Sequence, residues 1–279
     1  MDNNRGYLLL SCGGRNTVCV WLIDPNTHHC TLQAVYPYRN SMNCSDEGDQ
    51  RIMDVSILSG LSTLFFVTGD SCGKIHFYHF RENSFEPILL FTSEIHTTPI
   101  LSVQLVQSRE RVMIIAGVAA GDLIVIDITN AIAQFESTGE FTVEPSSFTL
   151  FPAIHVMGIN DLKVIIEGDE VNCVTVGDDQ GLRVTSLQYN GKWECVRRVD
   201  CELIAGTSLR GVTVVGHDIY TTGWEQVLQK WKLENKQLKK VSEMNLQVPE
   251  TGCVDCIQND GSVLGCVCGD MGFEIFELV

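Results

Sequence analysis

The chain has 279 residues, of which 44% are hydrophobic and 19% charged, so it can bury a sizeable core. A net charge of −16 excludes a protein that holds nucleic acid by its overall field. Twelve cysteines scattered through apolar segments do not describe a short disulfide scaffold. They point to reduced thiols in a cytosolic or nuclear protein, with the cytoplasm as the expected compartment. The apolar run at 7–10 is too short for a secretory leader. The apolar region 112–128 is broken by Gly117, Gly121 and Asp122, so no bilayer-spanning stretch is expected.

A strand–turn–strand phrase recurs along the chain. It reads SCGGRNTVCVW (11–21), TGDSCGKIHFYHF (68–80) and AGVAAGDLIVIDI (116–128), then VGDDQGLRVTSL (176–187), TGWEQVLQKWKL (222–233) and CGDMGFEIFEL (268–278). The first glycines, Gly13, Gly69, Gly117, Gly177, Gly223 and Gly269, are 56, 48, 60, 46 and 46 residues apart. Repeats of about 40–45 residues with four short strands each are the mark of WD-type propeller blades. Two insertions account for the longer spacings. One is the acidic stretch 40–50. The other, 130–147, begins as a short helical turn, NAIAQFE. The expectation is an all-β, WD40-type β-propeller over residues 1–279 with six blade repeats.

One repeat gives the strand pattern. Residues 52–58 read as the inner strand, 63–68 as the second, 74–80 as the third and 88–92 as the outer fourth. An aromatic commonly closes the third strand; Tyr78, Trp21, Trp231 and Phe276 hold that place. Bulky side chains are needed there because neighbouring sheets pack face to face. The chain starts on a second strand (7–11) and ends on a third (273–278). The ring is therefore expected to need upstream sequence, and an isolated chain to leave strand edges unpaired.

Several clusters bear on chemistry. His96 (IHTTPILSVQL) and His155 (IHVMGINDLKV) precede inner strands, where a WD-repeat histidine bonds within its blade, with Glu225 as the best acid partner. Cys253, Cys256, Cys266 and Cys268 have metal-like spacing, but alternation puts Cys253 and Cys256 on opposite faces, which favours buried thiols over zinc. Asp178-Asp179 reads as turn chemistry, and His28-His29-Cys30 lacks a fourth ligand. No nucleophile elbow, P-loop, HExxH or dinucleotide glycine motif is present, so no catalytic role and no cofactor are expected.

Charge is unevenly spread. Residues 183–240 carry ten Lys/Arg and six Asp/Glu, a local +4 against −20 for the remainder. The run QKWKLENKQLKK (229–240) interleaves lysines with Trp231, Leu233 and Leu238. Its first reading is a solvated outer edge whose lysines discourage sheet pairing. Its second is nucleic-acid contact.

The second half is similar to one WD family. FTLFPAIHVMGINDLKV (148–164) resembles the family's "histidine, small residue, Gly-Ile-Asn, Leu" blade entry, and VTVGDDQGLRV (174–184) follows it. SLRGVTVVGHDIYTTGWEQVLQKWKL (208–233) resembles the next blade, and CGDMGFEIFELV (268–279) the terminal ending. Upstream, AAGDLIVIDITNAI (119–132) matches a family strand loosely. The family is the large WD-repeat partner of the tRNA wobble-nucleotide 2′-O-ribose methyltransferase. Its pattern departs here at three points: Ile126 precedes Asp127 with no Trp, Thr185 replaces an aromatic, and the turn Asp is mostly missing. The resemblance implies the C-terminal propeller region of a longer multi-propeller protein. It implies a non-catalytic scaffold that binds the methyltransferase catalytic subunit and helps place tRNA. Candidate tRNA contacts are Arg197, Arg198, Lys230, Lys232, Lys236, Lys239 and Lys240. The alternative is a general interaction propeller in endosomal trafficking or ubiquitin-ligase substrate recruitment.

Overall fold

The computed structural model describes residues 6–13, 17–36, 50–58, 63–80, 84–234, 237–259 and 262–278. The strands form six antiparallel sheets in chain order, each laid down strand beside strand. The first holds β1 (Tyr7–Gly13), β2 (Thr17–Ile23) and β3 (Cys30–Tyr36). The second holds β4 (Ile52–Leu58), β5 (Phe65–Asp70), β6 (Lys74–Phe80) and β7 (Pro87–Glu94). The third holds β8 (Ile100–Ser108), β9 (Arg111–Val118), β10 (Leu123–Asp127) and β11 (Phe148–Phe151). The fourth runs through β12 (Ile159–Glu167), β13 (Glu170–Gly177), β14 (Leu182–Tyr189) and β15 (Trp193–Cys201). The fifth holds β16 (Leu209–Val215), β17 (Asp218–Gly223), β18 (Val227–Glu234) and β19 (Gln237–Asn245). The sixth holds β20 (Thr251–Asn259), β21 (Ser262–Gly269) and β22 (Gly272–Leu278). This is a six-blade β-propeller, and the strands expected from the second repeat are found within two residues at each end.

Burial follows position in the blade. Second strands such as β5 (FFVTGD) and β9 (RVMIIAGV) are buried on both faces, because a sheet lies on each side. The outermost strand β19 (QLKKVSEMN) is almost wholly exposed, and its lysines keep the edge wet. Apolar clusters fill the spaces between consecutive sheets. Phe66, Tyr78 and Val20 join the first and second; Phe65, Phe77, Ile114 and Ile126 join the second and third. Met113 and Leu162, Val184 and Val212, and Tyr220 and Val254 join the later pairs. Among the described residues no buried cluster joins the sixth sheet to the first, and their outward faces expose Phe273, Ile275, Tyr7 and Leu9.

The insertion after β10 has a structural use. It forms helix α1 (Thr129–Thr138), stopped by Gly139 at φ 78, and a 3₁₀ turn at Pro145–Ser147. Phe135 and Phe141 pack on Phe65 and Phe77, with Phe77 and Phe141 stacked at 5.0 Å, so the insertion closes the core between two blades. The acidic stretch 40–50 lies outside the described residues except for Gln50.

One device repeats on the inner strands. Pairing slips by one residue at Ile52/Asp54, Ile100/Ser102, Ile159/Asp161, Leu209/Gly211 and Thr251/Cys253. Such a bulge re-aims the side chain beyond it. In two blades that side chain is an aspartate which clasps the next blade. Asp54 Oδ2 accepts the Val103 N–H at 2.7 Å, and Asp161 Oδ2 accepts the Val212 N–H at 2.9 Å.

Candidate functional site

Inter-blade loops and the turns between second and third strands emerge at the same end of the propeller. Each loop is pinned to the preceding turn by a backbone bond: Ile95 to Gly73, His155 to Gly121, Ile204 to Gln180 and Leu246 to Gln226. The turn residue takes a positive φ, met by glycine at Gly73 and Gly121 but imposed on Gln180 (63°) and Gln226 (59°). The result is a fixed platform for exposed side chains.

Both expected histidines help build it. His155 Nε2 lies 2.9 Å from Thr175 Oγ1, and Nδ1 lies 2.8 Å from Asp179 Oδ1. Arg183, almost fully buried, reaches Asp179 at 2.9 Å. Burial lowers the His155 pKa, with Asp179 pulling the other way. Burial alone would raise the Asp179 carboxyl; bonds from His155, the Val156 amide and Arg183 outweigh it and hold it well below the usual range. His96 Nε2 lies 3.4 Å from Asp122. The acid partners are thus Asp122 and Asp179, not Glu225, which is exposed. Asp179 therefore supplies the turn acid in the fourth blade, in agreement with the reading of Asp178-Asp179 as turn chemistry. Its partner lies 24 residues upstream, a pairing that only packing creates. In the fifth blade Trp231 Nε1 donates to Thr221 Oγ1 at 3.2 Å, in the place expected.

On this scaffold the fourth and fifth blades present a polar–aromatic cluster that the sequence pattern did not single out. The Arg210 guanidinium lies over the Trp224 ring, 4.5 Å from its centroid. Arg210 Nη1 donates to Asn160 Oδ1 at 3.3 Å, and Nη2 is 3.6 Å from Asp178. Asn160 donates to Asp178 and to the Leu209 carbonyl, both at 2.8 Å. Arg210 Nε is buried with no hydrogen-bond partner among the described residues. Trp224 is 49% exposed, and Val156 (83%), Met157 (52%) and Leu203 (74%) are exposed at the same end. Tryptophan and arginine are residue types that carry protein–protein binding energy when a partner covers them. The one sequence cue was a tryptophan in a tight turn, with no core to enter.

The nominated basic residues have carboxylate neighbours. Arg197 lies 3.1 Å from Glu170, Arg198 2.7 Å from Asp200, Lys230 2.9 Å and Lys232 3.6 Å from Asp218. Lys239 lies 3.5 Å from Glu234, and Lys240 pairs with Glu243. Lys236 lies outside the described residues. Strand β15 of the fourth blade and strands β18 and β19 of the fifth carry these groups, so they are spread over two neighbouring blades. Lys232 and Lys239 are directly opposed across β18 and β19, whereas Lys240 is opposed to Trp231.

Among the described residues no group of three or more His, Cys, Asp or Glu is arranged to hold a metal ion. His28, His29 and Cys30 lie exposed at the β2–β3 turn, organised by Asp24, which accepts the Asn26 and Thr27 amides. Every described cysteine is free. Cys253 and Cys268 are exposed rather than buried, because the sixth sheet's outward face is uncovered. Among the described residues no helix is long and apolar enough to cross a membrane.

Sheet order, inner-strand bulges and the His155–Thr175–Asp179 bonds define a WD-like β-propeller, a class that commonly serves as a non-catalytic scaffold. No protein-family model and no curated protein matches this chain.

Proposed function

We propose that this protein is a non-catalytic scaffold that binds a partner protein through the loop-and-turn end of its fourth and fifth blades. The observation that carries the reading is the Arg210–Trp224 stack, anchored by Asp178 and Asn160. A rigid propeller suits the task because it holds separated loops at fixed distances without reordering them on binding. The partner proposed is the catalytic subunit of the tRNA wobble-position 2′-O-ribose methyltransferase, which supplies the methyl-donor site. That choice rests on the blade entries at 148–164 and 208–233 and on the chain ending. The scaffold then helps place tRNA, chiefly through the partner, because the described basic side chains, Arg197, Arg198, Lys230, Lys232, Lys239 and Lys240, already face carboxylates.

The test is binding of the purified catalytic subunit to the immobilised chain. Trp224→Ala and Arg210→Ala should each weaken it by roughly 30-fold or more, since a truncated central anchor costs about 2 kcal/mol or more. Unchanged affinity in both variants, with the fold intact, refutes this surface. Absence of any binding by the parent chain, with a trafficking or ligase subunit captured instead, refutes the choice of partner. Methyl transfer to tRNA by the chain alone would refute the scaffold reading altogether.

A further inference from the structure

Strands β20 and β21 bring two cysteines face to face. Cys253 is directly opposed to Cys268, with Asp255 opposite Cys266 and Ile257 opposite Leu264 in the same ladder. No other described strand pairing sets one cysteine directly opposite another. Directly opposed residues of an antiparallel pair have Cα atoms about 4.5–5.5 Å apart. That lies inside the range of about 4.4–6.8 Å over which a disulfide closes without moving the backbone. The Cys268 thiol is near enough to the Cys253 and Cys266 thiols to raise the titration of both. Both opposed thiols are free and exposed. They lie on the outward face of the sixth sheet, in the ladder that continues to Phe273 and Ile275 on β22. Opposite this face Val254, Val267 and Phe276 pack against the fifth blade, so closing a bond on the outward side disturbs no core contact.

We propose that Cys253 and Cys268 are a redox-modification site, closing to a reversible intrachain disulfide when the protein meets a hydroperoxide. The Cys268 sulfur attacks the peroxide O–O bond, takes one oxygen as a sulfenic acid and releases water. Cys253 then loses its proton and attacks that sulfur; the S–S bond forms and the sulfenic oxygen leaves as a second water. Two thiols give up two electrons, and hydrogen peroxide is reduced to two waters. A small-molecule thiol reverses the change by exchange. The order of events follows from the surroundings. Partial desolvation of its sulfur and the neighbouring Cys268 push the Cys253 thiol up to about 11, which makes it a poor first nucleophile toward the peroxide. Cys266 is a poorer partner for Cys268. Two residues apart on one strand, their Cα atoms are about 6.6–6.8 Å distant, at the limit of disulfide reach.

The test treats the full chain with hydrogen peroxide and maps the thiols by mass spectrometry without reduction. Cleavage after aspartate isolates Cys253 on the fragment ending at Asp255 and Cys256 on the next, while Cys266 and Cys268 share a third. The expected product joins the first fragment to the third, consumes two thiols per chain and disappears on thiol treatment. Its formation should quicken by up to about tenfold from pH 7 to pH 8, as the Cys253 thiolate fraction rises. Cys266→Ser should leave the link intact. Cys253→Ser should abolish it and raise the sulfenic acid trapped at Cys268 by a dione reagent. A link through Cys256 or Cys266, disulfide-joined dimers as the main product, or a pair left reduced while exposed Cys30, Cys72 and Cys195 oxidise would each overturn the proposal. The mapping of the parent chain decides it even if a variant folds poorly.

Discussion

Replacing Asp161 with asparagine removes a titration from the middle of the fold. Asp161 follows the bulge in β12, is partly buried between inner strands, and accepts N–H groups from Leu162 at 2.8 Å and Val212 at 2.9 Å. Burial pushes its carboxyl up to about 7; Lys163 and the two amides pull it back, and Asp54 adds to the rise. Asp54, itself raised by burial, Lys163 and Cys253 are the ionisable groups that sense this carboxyl. Between the ordinary aspartate value of about 3.9 and the folded value, the native state holds a proton that the unfolded chain has lost. Stability therefore falls as pH rises through this window and levels off above the folded value. A shift of three units at about 1.4 kcal/mol each gives roughly 4 kcal/mol across the whole window. Asparagine keeps an oxygen for the amides and has no proton to lose. The comparison is urea unfolding of parent and Asp161→Asn at pH 5, 6, 7 and 8. The variant should gain on the parent by about 2–3 kcal/mol between pH 5 and pH 7, with the difference flat above pH 8. Asp161→Ala should instead lose about 1–3 kcal/mol at every pH, because the Val212 amide is left without an acceptor. Parallel pH profiles for parent and Asp161→Asn would refute the buried-proton reasoning.

Other expectations concern the blades and their rim. Asp179→Asn removes a carboxylate held below its ordinary range, so the stabilisation it removes is present above about pH 4 and fades as pH falls through the depressed value. At pH 7 the variant should lose about 3–5 kcal/mol in denaturant unfolding, since Arg183 is left buried with only the more distant Asp200 and Glu202; a loss below 1 kcal/mol would show that those two acids suffice. Phe77→Ala, emptying a fully buried site stacked on Phe65 and Phe141, should cost about 3–5 kcal/mol by the same assay. In the assembled complex, Lys230, Lys232, Lys239 and Lys240 changed together to Glu should weaken tRNA binding and flatten its dependence on salt; binding and slope equal to the parent's would leave those lysines as edge protection alone.

Much of the architecture was legible in the chain because it rests on local chemistry. The glycine turns at near-regular spacing, the apolar runs before them and the closing aromatic at Tyr78 or Trp231 each depend on residues a few positions apart. Period and turn type are written at that range. The lysines of β19 likewise mark an outer edge without reference to any partner. What packing alone decided involves residues about a blade apart or side chains re-aimed by a bulge. His155 meets Asp179 only when one blade's loop is laid on its own second turn. Asp161 finds the Val212 amide only because a bulge turns it toward the next inner strand. Arg210, at the corresponding bulge of the fifth blade between Leu209 and Gly211, covers a Trp224 fourteen residues along the chain. The cysteines show the division most plainly. Alternation correctly separated Cys253 from Cys256, but register set Cys253 opposite Cys268, and the uncovered outward face left both open to solvent. Periodicity says which way a side chain points along its own strand; neighbouring sheets decide what it meets there.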